Sequence, residues 1–597
     1  MSALAGCYWV DAAACVGDLR SCAAAAAHRA GSAFRFWASG PVAVAHADRW
    51  RSDFPFHDSP SRTTVVVDGV IDNIEELASM LDAPPTVAAT VLAAFQRWGV
   101  ESCSRMLGDF VVVVYDESTR RLTCVRDPLG QRPLFYGIGA QGIVFASEAQ
   151  QVVRHSTIRR DINEGVIAEH LADAPSTVGE THWKNVYRLP PAHALEIAPT
   201  GHTVRRYWDF DPSARVRHAN PDQYAAHFYD LFTRAVECRL QPNTGQPAKV
   251  GVLLSGGIDS SSIAGVAQSL RQASGGTPIH AFSATFPNRS CDESRFIEAV
   301  VEKWRLPATR ADVVLPTIDE LHEDIDRYLD LNITPGSTGN VLRRRAAAMG
   351  VDILLTGFGG DDYFSGSSLG LPAMLSRGQV IRAARAAVNT LLNDRARRLL
   401  RPVFGARRPA RAWIRPEFRR RVNLDERVRP APARPFPTRE QQDIYRLVTG
   451  LAQIIGDETE DRVAHATGIL QRHPFYDRRV AEFGLALPPE QRFQQGRHKV
   501  VIRRALRDIL PPAVAQRTDK AEFSFTYVEA FEHLGIKRLW STLRSEQAGW
   551  VDGAVVRDMH RRMIDLYTRG DDAYIELTGP LWTIVGLELW LERMGAS

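Results

Sequence analysis

The chain has 597 residues, of which 45% are hydrophobic and 24% charged, with a formal net charge of +4. That length is more than one core organises, so two or three domains are expected, and so small a positive surplus gives no case for nucleic acid. Seven cysteines (Cys7, Cys15, Cys22, Cys103, Cys124, Cys238 and Cys291) are scattered without a CxxC pair, which argues against a disulfide framework or a zinc site.

At the amino terminus, the alanine-rich stretch around Cys22 has no basic segment before it and His28 and Arg29 directly after it, so it does not read as a signal peptide. No apolar run approaches membrane-spanning length, and a cytoplasmic location with no membrane partner is expected. Residues 1 to about 205 are rich in short strands. TTVVVDGVID, GDFVVVVYD, RLTCVRDPLG, PLFYG and GIVFASE recur between Gly, Pro and Asp, which predicts a layered antiparallel domain. From about 218 onward helical stretches such as DQYAAHFYDLFTRAVECRL alternate with the buried strands KVGVLLS, IHAFSATF and VDILLTGFG. This alternation predicts a mainly parallel sheet with helices on its faces, and a ligand belongs at the carboxyl ends of its strands.

Two glycine-rich turns sit at such strand ends. SGGIDSSS (Ser255 to Ser262) follows the branched run VGVLL. Its glycines let the backbone approach a phosphate, while Ser255, Ser260 and the first amides of the following helix donate hydrogen bonds. Asp259 would repel a polyphosphate unless a hard cation lay between them, so it reads as a magnesium ligand. An ordinary Ser/Gly turn capping a helix is the bland reading; strand, SGGxDS and helix in register favour the nucleotide. TGFGGDDYF (Thr356 to Phe364) repeats the arrangement, and Asp361 can join Asp259 on the same cation, although Asp361 or Asp362 also suits a helix N-cap.

Residues 367–440 are arginine-rich and punctuated by proline, with a helix predicted in VIRAARAAVNTLL and a loop or linker at VRPAPARPFP. This segment reads either as a solvated basic face or as a surface gripping an acidic peptide or partner. Lys520 stands in a segment of little helical regularity, LPPAVAQRTDKAEFS, where a lone lysine is ordinarily a solvated charge.

SGGIDSSS, TGFGGDD, RHPFYDRRV (Arg472 to Val480) and the Arg517/Lys520/Phe523 segment resemble, in order and context, the asparagine synthetase superfamily. In the first half VDGVIDNIEEL, LGDFVVVVYD, RDPLGQRPLFYG and FASEAQ resemble its glutamine-hydrolysing domain. The resemblance spans nearly the whole chain. It implies an α/β protein: an Ntn-hydrolase-like αββα sandwich over 1–205, then an ATP-pyrophosphatase domain with a parallel sheet over 218–597. Such a domain adenylates a carboxylate with ATP and Mg2+ and passes the acyl group to an amine. The resemblance implies that Ser255, Gly256, Gly257, Asp259, Ser260, Phe282, Gly357 and Gly359 bind nucleotide, and that Lys520 stabilises charge as the amine attacks. Among the acidic residues of GDETEDR, Glu458, Glu460 and Asp461 fall near a position where one branch keeps a glutamate; Glu460 is the candidate base, with an acidic helix start as the alternative. Arg472 reads as structural or phosphate-facing.

The departures from the family are equally informative. Where glutamine-using members expose a cysteine after methionine removal, this chain has Ser2, and Cys7 reads as a small buried hydrophobe. Asp68 replaces an asparagine beside Gly69, Val70 replaces a glutamate and Val87 an aspartate. Glutamine hydrolysis is therefore not expected, and the substrate would supply its own amine. TGFGGDDYF, the CDE of Cys291 to Glu293, and RHPFYDRR look most like the lasso-peptide macrolactam synthetases. In that reading a precursor peptide is the substrate, with a leader peptidase and a leader-recognition protein as partners, and the arginine-rich insertion and a pocket below Tyr363 help to mould the peptide. Phe358 stands where the β-lactam branch has a tyrosine and asparagine synthetases a glutamate. The alternatives are a ligase acting on a small amino acid, of asparagine-synthetase or β-lactam-synthetase type, and a non-catalytic peptide-binding scaffold.

Overall fold

The structure is a computed structural model that describes residues 2–50, 54–241, 248–312, 314–333, 338–365, 411–429, 432 and 434–595. In its first third, two six-stranded antiparallel sheets face one another. One is ordered Val186–Arg188, Phe135–Ile138, Gly142–Ala146, Ser2–Trp9, Val42–Asp48, Arg35–Ser39. The other is ordered Gly201–Arg206, His193–Ala198, Arg121–Arg126, Gly108–Asp116, Thr63–Ile71, Phe56–Asp58. Side-chain alternation sorts each strand between two layers. Leu4 and Tyr8 point between the sheets onto Val66, Val111 and Phe145, whereas Ala5, Cys7 and Trp9 point outward. Helices Ile74–Leu81 and Val87–Trp98 cover one outer face; Arg20–Ala25, Ala149–Val153 and Glu164–Leu171 cover the other. This is the αββα sandwich.

The second architecture is a parallel sheet. Its elements are β1 (Val250–Leu253), α1 (Ile258–Ala273), β2 (His280–Thr285), β3 (Ala308–Asp312), β4 (Ile353–Leu355), α2 (Gly360–Phe364), α3 (Leu451–Ala466) and β5 (Leu470–Arg472). The strands are parallel throughout, in the order β3-β2-β1-β4-β5. The chain leaves β1 toward β2 on one side and later returns to place β4 on the other. The crevice between the ends of β1 and β4 is thus a topological switch point, and the two glycine-rich turns flank it.

The two halves share a core. Helices Phe525–His533, Gly553–Thr568 and Ile575–Met594 join the outer face of the first sheet in one apolar cluster. Trp590 is fully buried there, 5.3 Å from the Trp183 ring and 5.4 Å from that of His182. Of the arginine-rich segment, 367–410, 430, 431 and 433 lie outside the described residues, and with them the helix expected in VIRAARAAVNTLL and part of the loop expected at VRPAPARPFP. In the described part, Phe418 stacks on Trp550 and Arg427 pairs with Glu169 and Glu180 of the sandwich. No described helix is long and apolar enough to cross a membrane. Because Trp590 packs against both halves, Trp590→Ala should destabilise the chain by about 3–5 kcal/mol, read as a lower denaturant midpoint.

Candidate active site

The turn after β1 is shaped by what cannot fit. Gly256 has φ +71°, and a Cβ there would lie 2.8 Å from Cβ of Phe296, so the left-handed bend and the close approach both require glycine. Gly257 precedes α1 without a side-chain cap, which leaves the first amides of the helix open to an anion. The hydroxyls of Ser255 and Ser260 lie 3.1 Å apart beside them. Arg517 braces the turn from behind, donating to the Gly256 carbonyl, pairing with Glu293 and lying over the Phe296 ring.

Asp259 lies in the first turn of α1 and Asp361 in the first turn of α2. They meet because Gly360 has no side chain: a Cβ there would be 2.3 Å from the Asp259 carboxyl carbon. A buried ammonium joins them. Lys499 Nζ donates to Asp259 Oδ2, and its distance to Asp361 Oδ1 is 2.7 Å. Lys520 Nζ, on a side chain 76% exposed, donates to the other Asp361 oxygen at 2.7 Å. Burial alone would raise the Asp361 carboxyl, but Lys499 and Lys520 hold it well below the usual carboxylate range. For Lys499 burial works against the charge, and Asp259 and Asp361 overcome it, so its ammonium is raised above the ordinary lysine value. Asp259 is pushed up by burial, against the pull of Lys499. Its Oδ1 is buried without a hydrogen-bond partner. Two converging carboxylates, one oxygen still unsatisfied, beside a glycine-lined helix terminus are the donor set a magnesium–polyphosphate would use.

The remaining expected residues fall into place around this pair. Gly357 backs onto the Asp259 Cβ, and Gly359, with φ +89°, lies against Phe475 and Tyr476. Phe358 is 38% exposed, its ring 5.7 Å from that of His473, whose Nδ1 is 2.6 Å from the Thr356 hydroxyl. Phe282 is placed differently from its neighbours. Its ring is fully buried in an apolar cluster with Leu342, Leu354 and Ile469, and its carbonyl accepts from Leu254, so it supports the sheet beneath the turns. Glu460 is held beside β5 by Arg343 and by Gln471 Nε2 at 3.0 Å. Tyr363 is buried against the apolar layer below α2.

Sequence reasoning missed Lys499. It follows a two-strand hairpin, Phe493–Gln494 with Arg497–His498, and has φ 58°, an unusual conformation for a lysine but one with no sequence signature. Also missed was the part played by Glu458 and Asp461. Three positions apart on α3, they share the face turned to the sandwich. Glu458 pairs with Arg126 at 3.0 Å and Arg188 at 2.7 Å, and Asp461 with Arg29 at 2.6 Å and Arg132 at 3.0 Å.

Two of the same arginines also reach Ser2 at the start of the sandwich. Ser2 is 1% exposed; Arg132 donates to its hydroxyl at 2.7 Å and Arg29 to its carbonyl at 3.1 Å. Asp68 is fully buried, accepts from Ser147 and lies 3.7 Å from Arg132. Burial would raise its carboxyl, but Arg132, His46 and Arg29 hold it well below the carboxylate range. Cys7 lies within the outward core, its thiol pushed up by burial, the state of an inert side chain.

The family description "Asparagine synthase" matches residues 227–592, and "Glutamine amidotransferase domain" matches 1–208. The chain belongs to the asparagine synthase family. Members of this family are ATP-dependent, AMP-forming amide-bond ligases. "Asparagine synthetase [glutamine-hydrolyzing] 3" of Bacillus subtilis is 23% identical over 87% of this chain and 84% of that protein. A putative asparagine synthetase [glutamine-hydrolyzing] of Mycobacterium tuberculosis is 27% identical over 89% of this chain and 85% of its own. Among solved structures, the glutamine PRPP amidotransferase of B. subtilis is 12% identical over 60% of this chain and 77% of that chain, with a TM-score of 0.26.

Lys499 holds apart two carboxylates that would otherwise face one another. Lys499→Met should therefore lower the melting temperature, and millimolar Mg2+ should recover more of the loss in the variant than it adds to the unaltered protein. Equal responses to Mg2+ would remove the cation site.

Proposed function

We propose that this asparagine-synthase-family ligase is a lasso-peptide cyclase. It would adenylate an Asp or Glu side chain of a precursor peptide and join it to the peptide's amino terminus, releasing AMP and pyrophosphate. The observation that carries this reading is Arg132 bonded to the Ser2 hydroxyl in the same chain as the Asp259/Asp361 pair at the switch point. Ser2 stands where the glutamine-using members of the family place a cysteine, and Arg132 is bonded to its hydroxyl. Ser2 is buried and its hydroxyl accepts from Arg132, which opposes its use as a nucleophile, and in this reading ammonia would not be made there. Asp259, Asp361, Lys499 and Lys520 nonetheless converge at the switch point, an arrangement with a purpose only if a nucleotide is used.

The roles follow from position. The amides and hydroxyls of Ser255, Gly256, Gly257 and Ser260 would receive the polyphosphate. Asp259 and Asp361 would hold magnesium, which when bound spreads the charge on the departing pyrophosphate. Lys499, already shared between the carboxylates, would turn an ammonium toward the phosphates once a cation takes its place. Lys520 reaches the same carboxylate from the solvent side and would stabilise charge as the amine attacks. Phe358 offers an apolar face and no proton, which suits a peptide chain laid across the turn better than a small polar acceptor. Glu460, the candidate base, would first have to leave Arg343 and Gln471. Closing a ring around its own tail costs a free peptide chain entropy, so the enzyme must hold the fold while the bond forms. A precursor peptide, a leader peptidase and a leader-recognition protein are the partners this reading requires.

The second reading is ligation of a small amino acid, as in an asparagine or β-lactam synthetase, and the names of the relatives favour it. Asp259→Ala should abolish peptide-dependent pyrophosphate release, and full retention would remove the nucleotide site. Lys520→Ala should lose roughly 10²-fold or more in ring closure while keeping a larger share of pyrophosphate release; equal loss of both would show that its role is elsewhere.

A further inference from the structure

Strand β5 ends in Arg472, whose guanidinium is almost fully buried and points out of the parallel sheet into the sandwich. Its Nη2 donates to both oxygens of Asp72, at 2.8 and 2.9 Å, and its Nε to Asp109 at 3.0 Å. Both carboxylates come from segments that resemble the glutamine-hydrolysing domain, VDGVID and LGDF. Arg239 reinforces the junction, 3.7 Å from Asp72 and 2.8 Å from Asp477. Asp72, Arg239, Arg472 and Asp477 each have side chains no more than 1% exposed. Charges so buried are stable only while paired.

The backbone of Arg472 carries this junction to the nucleotide site. Its carbonyl accepts from the Thr356 amide at 3.1 Å, and the next residue, His473, meets the Thr356 hydroxyl at 2.6 Å. Thr356 opens the turn that delivers Asp361. The chain of contacts from Asp72 to Asp361 thus passes through one guanidinium, one peptide hydrogen bond and one tight turn.

We propose that Asp72 and Asp109 of the amidotransferase-like domain are positioning residues for the nucleotide site, acting through Arg472 on the 356–364 turn. On this view the sandwich domain supplies the anchor that sets the spacing of Asp361 from Asp259. Neither carboxylate touches a reacting atom; each fixes the arginine whose carbonyl orients the turn. Asp72 faces Arg472 and Arg239, and Asp109 lies nearby, so an amide at position 72 would leave two buried guanidiniums short of charge. An amide at position 109 removes the charge from a single contact while leaving an oxygen to accept it, on a side chain that is 15% exposed, and so gives a milder form of the same lesion.

The proposal rests on the assignment of the 356–364 turn to the nucleotide site, and the test separates the two. Hydrogen exchange is measured on the full chain without nucleotide for Asp72→Asn and Asp109→Asn, and Mg-ATP binding is measured by calorimetry. Exchange across 356–364 should accelerate by about tenfold or more in Asp72→Asn and by a smaller factor in Asp109→Asn, with 553–594 unchanged. Mg-ATP affinity should fall in the same order. Unchanged exchange at the turn would overturn the proposal, and so would acceleration spread evenly through 553–594, which marks general loosening. If Asp72→Asn fails to fold, Asp109→Asn alone decides by the same criteria. Absence of Mg-ATP binding by the unaltered protein would overturn the nucleotide site instead, while local acceleration at the turn would still support the anchor.

Discussion

A charge taken out of water must be neutralised where it stands, and that constraint organises the boundary between the two halves of this chain. Arg29, Arg126, Arg132 and Arg188 from the sandwich meet Glu458 and Asp461 on α3. In the opposite sense, Arg472 from the parallel sheet meets Asp72 and Asp109 in the sandwich. Apolar contacts alone would tolerate sliding of one domain over the other. Buried ion pairs do not, since a small displacement strands a charge in a medium that cannot solvate it. The seam therefore sets register between the domains, and the shared apolar cluster around Trp590 gives it adhesion.

The same constraint ties the start of the sandwich to the seam. Arg132 serves Ser2, Asp68 and Asp461 together, so the guanidinium bonded to the Ser2 hydroxyl is also a strut of the seam. At the switch point of the parallel sheet the logic runs the other way. Two carboxylates brought together by Gly360 cannot lie side by side uncompensated, and Lys499 supplies the cation.

Much of this was legible in the sequence where local chemistry is sufficient. Branched strands ending at SGG and TGFGG announce parallel strands followed by glycine turns, and the short apolar run FVVVVY between Gly-Asp and Asp announces a strand of a layered domain, because backbone preference and turn residues are written in neighbouring positions. What pairs across long separations was not legible. Lys499 lies 240 positions from Asp259 and carries no motif that a lone lysine would not. Glu458, Glu460 and Asp461 looked like a choice among bases, and the fold turns Glu458 and Asp461 to the arginines of the sandwich and Glu460 to Arg343. Phe282 shows how little a strand residue's sequence says about its side chain, whose ring lies in the core beneath the turns. The Asp at position 68, where the family has an asparagine, argued in the sequence against glutamine hydrolysis, but the guanidinium beside that aspartate sits at position 132 and could be matched to it only in three dimensions.

The central claim is that the substrate's own amine, and not ammonia, completes the reaction begun at the switch point. The direct measurement is mass spectrometry of a precursor core peptide incubated with Mg-ATP, with its amino terminus free or acetylated, in the presence and absence of ammonium. The account predicts that the free peptide becomes lighter by one water whether or not ammonium is present, and that the acetylated peptide drives pyrophosphate release without that loss. Conversion of either peptide's carboxylate to a primary amide in ammonium, with no dehydrated ring from the free form, would contradict it.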